Sequence, residues 1–185
     1  MKTKYLLYIF GLLLALNFFF AHAGWAEPKP GTNAPMITHS FAIEKGYYGY
    51  VWKIYIEAED PDGDMYKIAS TVDQPGWGHY FTDTILIKSQ NRNHLKGYVQ
   101  WNTFSSKTSY IREFTIITLK VSIINKAGNE SNVVVFPFQF VSRSVPKYEL
   151  PLPFNQDDVR LGYIHIDLFE PSFDPSFSGD VNSRD

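Results

Sequence analysis

The stretch Tyr48–Asp64, YGYVWKIYIEAEDPDGD, decides the fold. Tyr50, Trp52, Ile54, Ile56 and Ala58 fall on one side of an extended chain, and Lys53, Tyr55, Glu57 and Glu59 on the other. A period of two of this kind marks a strand with one face buried and one face wet. The run ends in Asp60-Pro61-Asp62-Gly63-Asp64, where proline fixes one φ and Asp and Gly accept turn conformations, so the chain reverses.

Working outward, Met36–Ile43 reads as a strand before it, and Tyr66, Ile68 and Val72 alternate with Lys67 and Thr71 after it. Thr84–Lys88 and Tyr98–Asn102 read as shorter strands separated by the polar turn Ser89–His94. Phe114–Asn125 is the second strongly alternating run, with Ile117, Leu119, Val121 and Ile123 on its apolar side. Lys126-Ala127-Gly128-Asn129 turns it into Val133–Val141, where Val134, Phe136, Phe138 and Phe140 point inward. Pro137 lacks a ladder donor, which places an open edge at that point. About seven strands with closely spaced turns, and no helical period of useful length, predict an all-β antiparallel immunoglobulin-like sandwich over residues 36–141.

The flanks read differently. Lys2 and Lys4 precede an apolar run from Tyr5 to Phe20, and Ala21-His22-Ala23 supplies a small-x-small cleavage site. This is the layout of a signal peptide over residues 1–23. An uncleaved anchor is the rival, but the run is shorter than the ~20 residues a spanning helix needs. Cleavage predicts export to a periplasm, cell surface or exterior, with no membrane span left in the mature chain. Residues 24–35 form a Pro/Gly linker. Residues 142–185 read as an extended C-terminal segment with one further candidate strand at 161–168, a PSFDPSF repeat and a polar, disordered end.

The 185-residue chain is 44% hydrophobic and 17% aromatic, with no cysteine, so no disulfide and no lipid-bearing N-terminal cysteine are available. A formal net charge of −2 carries no electrostatic footprint for nucleic acid.

EAEDPDGD (Glu57–Asp64) and INKAGNESN (Ile124–Asn132) together resemble the bacterial immunoglobulin-like, cadherin-like and fibronectin-III-like domains of exported surface proteins. The resemblance covers Pro35–Val141 and departs from the antibody type in lacking its cysteine pair. It implies a fold more than an activity, since many unrelated exported proteins carry such modules.

Asp60, Asp62 and Asp64 place three carboxylates within one turn, and the immunoglobulin-type connection brings Asn125 and Asn129 to the same end. Oxygen-rich clusters of this kind hold calcium, as in cadherin-like domains, so these five residues form a candidate Ca²⁺ site. An EF-hand is excluded, because Met65 and Thr71 stand where its glycine and bidentate glutamate belong. The plain-turn reading explains the same residues without a metal.

Trp77, His79 and Tyr80 lie in a glycine-flanked aromatic loop suited to stacking on a sugar or filling a partner's pocket. The alternative is that the loop's aromatics fold over an open end of the core. Phe173 and Phe177 of the tail repeat offer two aromatic anchors to a partner, or pack back on the domain. The five histidines, His22, His39, His79, His94 and His165, show no metal-ligand spacing, and no nucleophile-elbow, zinc-protease or phosphate-loop motif is present. Asn129-Glu130-Ser131 matches the glycosylation triplet, which matters only in a eukaryotic secretory path.

The expectation is a non-catalytic interaction or structural module of the cell envelope or exterior, calcium-stiffened at its loop end, with a protein partner. A carbohydrate-binding module built on the exposed aromatics, with a polysaccharide partner, is the alternative. A small secreted hydrolase ranks third.

Overall fold

The structure, a computed structural model, describes residues 33–142, 145 and 147–170. The signal run, most of the 24–35 linker, and Phe173 and Phe177 lie outside the described residues.

Among the described residues ten strands build two sheets. They are β1 (Met36–Ala42), β2 (Lys45–Gly46), β3 (Val51–Glu59), β4 (Met65–Gln74), β5 (Gly78–His79), β6 (Asp83–Leu86), β7 (His94–Asn102), β8 (Ile116–Asn125), β9 (Val134–Phe140) and β10 (Arg160–Ile164). One sheet runs β1-β3-β7-β10 and the other β2-β9-β8-β4-β5, with β6 also paired to β4. The two extra short strands, β2 and β5, have two residues each and could carry no readable period. Among the described residues no helix is long and apolar enough to cross a membrane.

The expected sheets were purely antiparallel; the observed ones are mixed. β10 runs parallel to β7, and β2 parallel to β9. The second pairing arises because the chain leaves β1 in one sheet and touches the far edge of the other before entering β3. Parallel neighbours need long crossovers, and the 57 residues between β7 and β10, 103–159, supply one for β10.

The alternation in β3 and β8 translates directly into a core. Trp52, Ile54, Ile56 and Ala58 from β3 meet Ile117, Leu119, Val121 and Ile123 from β8, all fully buried. Trp52 and Trp101 are cross-strand partners in β3 and β7, and Phe138 lies 4.5 Å from the Trp52 ring. A buried indole N–H needs an acceptor. Trp52 Nε1 donates to the Ile43 carbonyl at 2.8 Å, and Trp101 Nε1 to that of Ile166 at 3.1 Å.

Two positions depart from the alternation, Ser122 in β8, buried where the wet face was expected, and Tyr55 in β3. Tyr55 was expected on the wet face with Lys53 and Glu57, yet it is buried. The C-terminal segment crosses that face, and Phe154 packs on Tyr55 at 5.5 Å. Ionising Tyr55 there is costly, and burial with the neighbouring Tyr148, Tyr98 and Asp158 pushes its phenol up to about 12.

The same segment then enters the core. The 161–168 stretch forms a strand only to Ile164, but Ile164, Ile166 and Leu168 are all buried against the sandwich. Gly97 lets β10 approach: a Cβ there would stand 2.3 Å from the Val159 carbonyl oxygen, which instead accepts the Tyr98 N–H at 3.0 Å.

The open edge predicted at Pro137 is present. Gln139 and Val141 direct their N–H groups outward, to Glu44 and Gly46, so by strand alternation the missing donor of Pro137 falls on that same edge. A proline on an edge blunts pairing with a foreign strand.

Candidate functional site

The sandwich has two unlike ends. The β3–β4 turn and the β8–β9 turn share the first, which is acidic. Asp60 is buried there and its carboxylate caps its own turn: Oδ1 accepts the Asp62 N–H at 3.0 Å and Oδ2 that of Asp64 at 3.3 Å. Gly63, at φ 67, completes the turn through an N–H to the Asp60 carbonyl. Burial raises the Asp60 carboxyl above its ordinary range, the Asp62 N–H opposes this, and the adjacent Asp64 adds to it.

Asn125 does lie at this end. Its Nδ2 donates to the Asn33 carbonyl at 2.9 Å and its Oδ1 accepts the Asn129 N–H at 2.8 Å. Asn33 in turn grips Asp62 through its backbone N–H at 2.8 Å and its amide. The five residues singled out for calcium are thus gathered at one end, where the side chains of Asp60, Asp62 and Asn125 are bonded by the chain itself. No three carboxylate or imidazole groups among the described residues converge closely enough to hold a metal ion.

The opposite end is aromatic. Tyr48 accepts the Ser105 N–H at 3.0 Å and bonds the Thr108 carbonyl at 2.6 Å, tying the 47–50 loop to the 103–115 loop. This leaves Tyr47, Phe104 (57% exposed), Tyr110 and Phe114 (67% exposed) presented to solvent. Phe114 has φ 69, the left-handed region, which costs a bulky residue conformational energy. Its neighbours fix it there: its N–H donates to Phe140 at 2.7 Å, and Thr115 both donates to Arg112 and accepts from Phe140.

The predicted loop residues separate in role. Tyr80 is not an exposed platform. It is buried, its hydroxyl donates to Gln74 Oε1 at 2.6 Å and accepts the Phe169 N–H at 2.8 Å, and burial raises its pKa. Gln74 Nε2 also reaches the Phe169 carbonyl at 2.6 Å, so the pair clamps the C-terminal segment. Trp77 stays half exposed, with one ring face stacked on Phe169 at 4.1 Å and 13°. His79 Nδ1 bonds Asp73 Oδ1, and Lys120 Nζ lies 2.6 Å from Asp73 Oδ2. Lys120 first, and His79 second, hold the Asp73 carboxyl below the usual carboxylate range.

Asp73 and Lys120 escaped the sequence reading because their meeting depends on the β4–β8 register, in which Asp73 faces Thr118 and Lys120 faces Thr71. The signal available was weak: charged residues at wet positions of two strands. No family model matches the chain, no curated protein matches it, and no solved structure matches it.

Proposed function

We propose that the chain is an exported, non-catalytic interaction module of immunoglobulin-like type that engages a protein partner of the cell envelope or exterior through its aromatic end. The strand order supports the fold assignment: β1-β3-β7 and β9-β8-β4 run in the sequence of the A-B-E and G-F-C sheets of that class. Export rests on the residue 1–23 signal layout.

The observation that carries the interaction reading is Phe114. A large apolar side chain is held outward on a backbone conformation that opposes it. Strain of this sort persists where the site uses it, and Phe104, Tyr110 and Tyr47 widen the exposed surface around it. Exposed apolar groups gathered at one place mark interaction surfaces.

The test separates binding from folding. Phe114→Gly relieves the left-handed cost and stabilises the fold by about 1 kcal/mol, while removing the ring. With the mature protein as bait in an extract of its native envelope, the variant loses the partner despite melting higher. Undiminished capture by Phe114→Gly and by Phe104→Ser would overturn the reading.

A further inference from the structure

We propose that the groove across the outer face of β4 and β8, running from the Trp77 loop along the sheet, is a binding site for an uncharged sugar chain. Two depressions, of about 500 and 330 Å³, meet at His79. The first is lined by Trp77, Asp73 and Thr118, and the second by Lys120, Ser122 and Glu130 among others. Their sizes fall in the range of small-ligand sites, and their continuity suits an extended chain more than an enclosed molecule.

Sugars ask for two things at once: a flat apolar surface against their C–H faces and fixed polar groups at their rims. Trp77 supplies the first. Its back face is stacked on Phe169, which fixes the ring, and the half-exposed remainder lines the groove. That backing is supplied by the C-terminal segment, itself clamped by Gln74 and Tyr80. The polar rim is equally prearranged. Asp73 is held between Lys120 and His79, yet a carboxylate has about four acceptor sites, so it can still accept from a ligand hydroxyl. Among the described residues His79 is bonded only through Nδ1, leaving Nε2 for a ligand. Thr71 and Thr82 bond each other at 3.1 Å, and Ser122 donates to Glu130 at 2.6 Å, setting further hydroxyls along the floor.

Charge decides the ligand class. With His79 neutral, Asp73 and Glu130 against Lys120 leave one negative charge along the groove, which disfavours a polyanion and is too sparse to hold a polycation. Hydroxyl-rich, uncharged chains are what remain.

The experiment is native gel retardation of the mature protein in galactomannan, glucomannan or hydroxyethyl cellulose, followed by tryptophan fluorescence titration with the matching hexasaccharide. At least one polymer retards the protein. Trp77→Ala weakens binding about tenfold or more, the scale of losing one aromatic contact. Trp77→Phe keeps most of it, and Asp73→Asn weakens it several-fold while circular dichroism stays native. The proposal is overturned by no retardation in any of the three, by equal binding of Trp77→Ala, or by retention only in polygalacturonate that vanishes in added salt. Trp77-dependent capture of a protein, with no polysaccharide bound, overturns it as well. None of these outcomes depends on Phe104 or Phe114, so failure here leaves the aromatic-end reading intact.

Discussion

Leu168→Ala tests whether the C-terminal segment belongs to the interior. Leu168 is fully buried, beside Ile164 and Ile166, and its own carbonyl accepts the Ser105 hydroxyl at 2.5 Å. Burying one such side chain contributes about 1.5–3 kcal/mol, so the three together supply about 5–9 kcal/mol. That is comparable with the whole stability of a domain, about 5–15 kcal/mol. Truncating Leu168 removes transfer energy and leaves a cavity, for a loss of about 2–5 kcal/mol. Urea unfolding followed by tryptophan fluorescence reads the change as a lower midpoint at an unchanged slope. The matched control is Leu152→Ala on the same segment, 91% exposed, where a change within about 0.5 kcal/mol is expected. Equal, small effects at both positions would mean that the segment lies on the sandwich without entering it, and the fold account would need rebuilding.

Ser70 is buried with no partner for its hydroxyl among the described residues, so Ser70→Ala should stabilise by about 1 kcal/mol and raise the melting temperature by a few degrees; a lower melting point would refute the orphan assignment. The raised Tyr55 phenol makes stability fully present below its unfolded pKa near 10 and lost as pH climbs through about 12. The loss amounts to about 3 kcal/mol. Urea midpoints between pH 9 and 12 check this, and an equally steep decline in Tyr55→Phe would remove the assignment. Because the Asp60 carboxylate already caps its own turn and Asp62 is held by Asn33, melting curves in calcium and in chelator should coincide; a rise of several degrees in calcium would restore the metal site.

Much of the core could be read from residues alone. Trp52, Ile54 and Ile56, or Leu119 and Val121, sit at alternate positions, and local period is enough to assign them a side. Tyr55 could not be read this way, because its cover arrives from Phe154, far along the chain. The buried residues of 161–168 showed their alternation, but nothing local names β7 as the neighbour of β10. Only Gly97, lacking the side chain that would block the approach, records that contact within β7 itself. At the sites, the aspartate turn was visible as a cluster, whereas its self-capping hydrogen bonds were not. Trp77 and His79 were visible as residue types; the Asp73–Lys120 pairing that completes their groove required the register of two strands.

The clamp of Gln74 on Phe169 joins positions separated by 95 residues, as does the link between Ile37 and Asn132. Contacts of such reach cost loop-closure entropy before they return anything, and domains dominated by them fold in milliseconds to seconds. Closing the hydrophobic seam around Trp101 therefore waits on a segment 65 residues further along the chain.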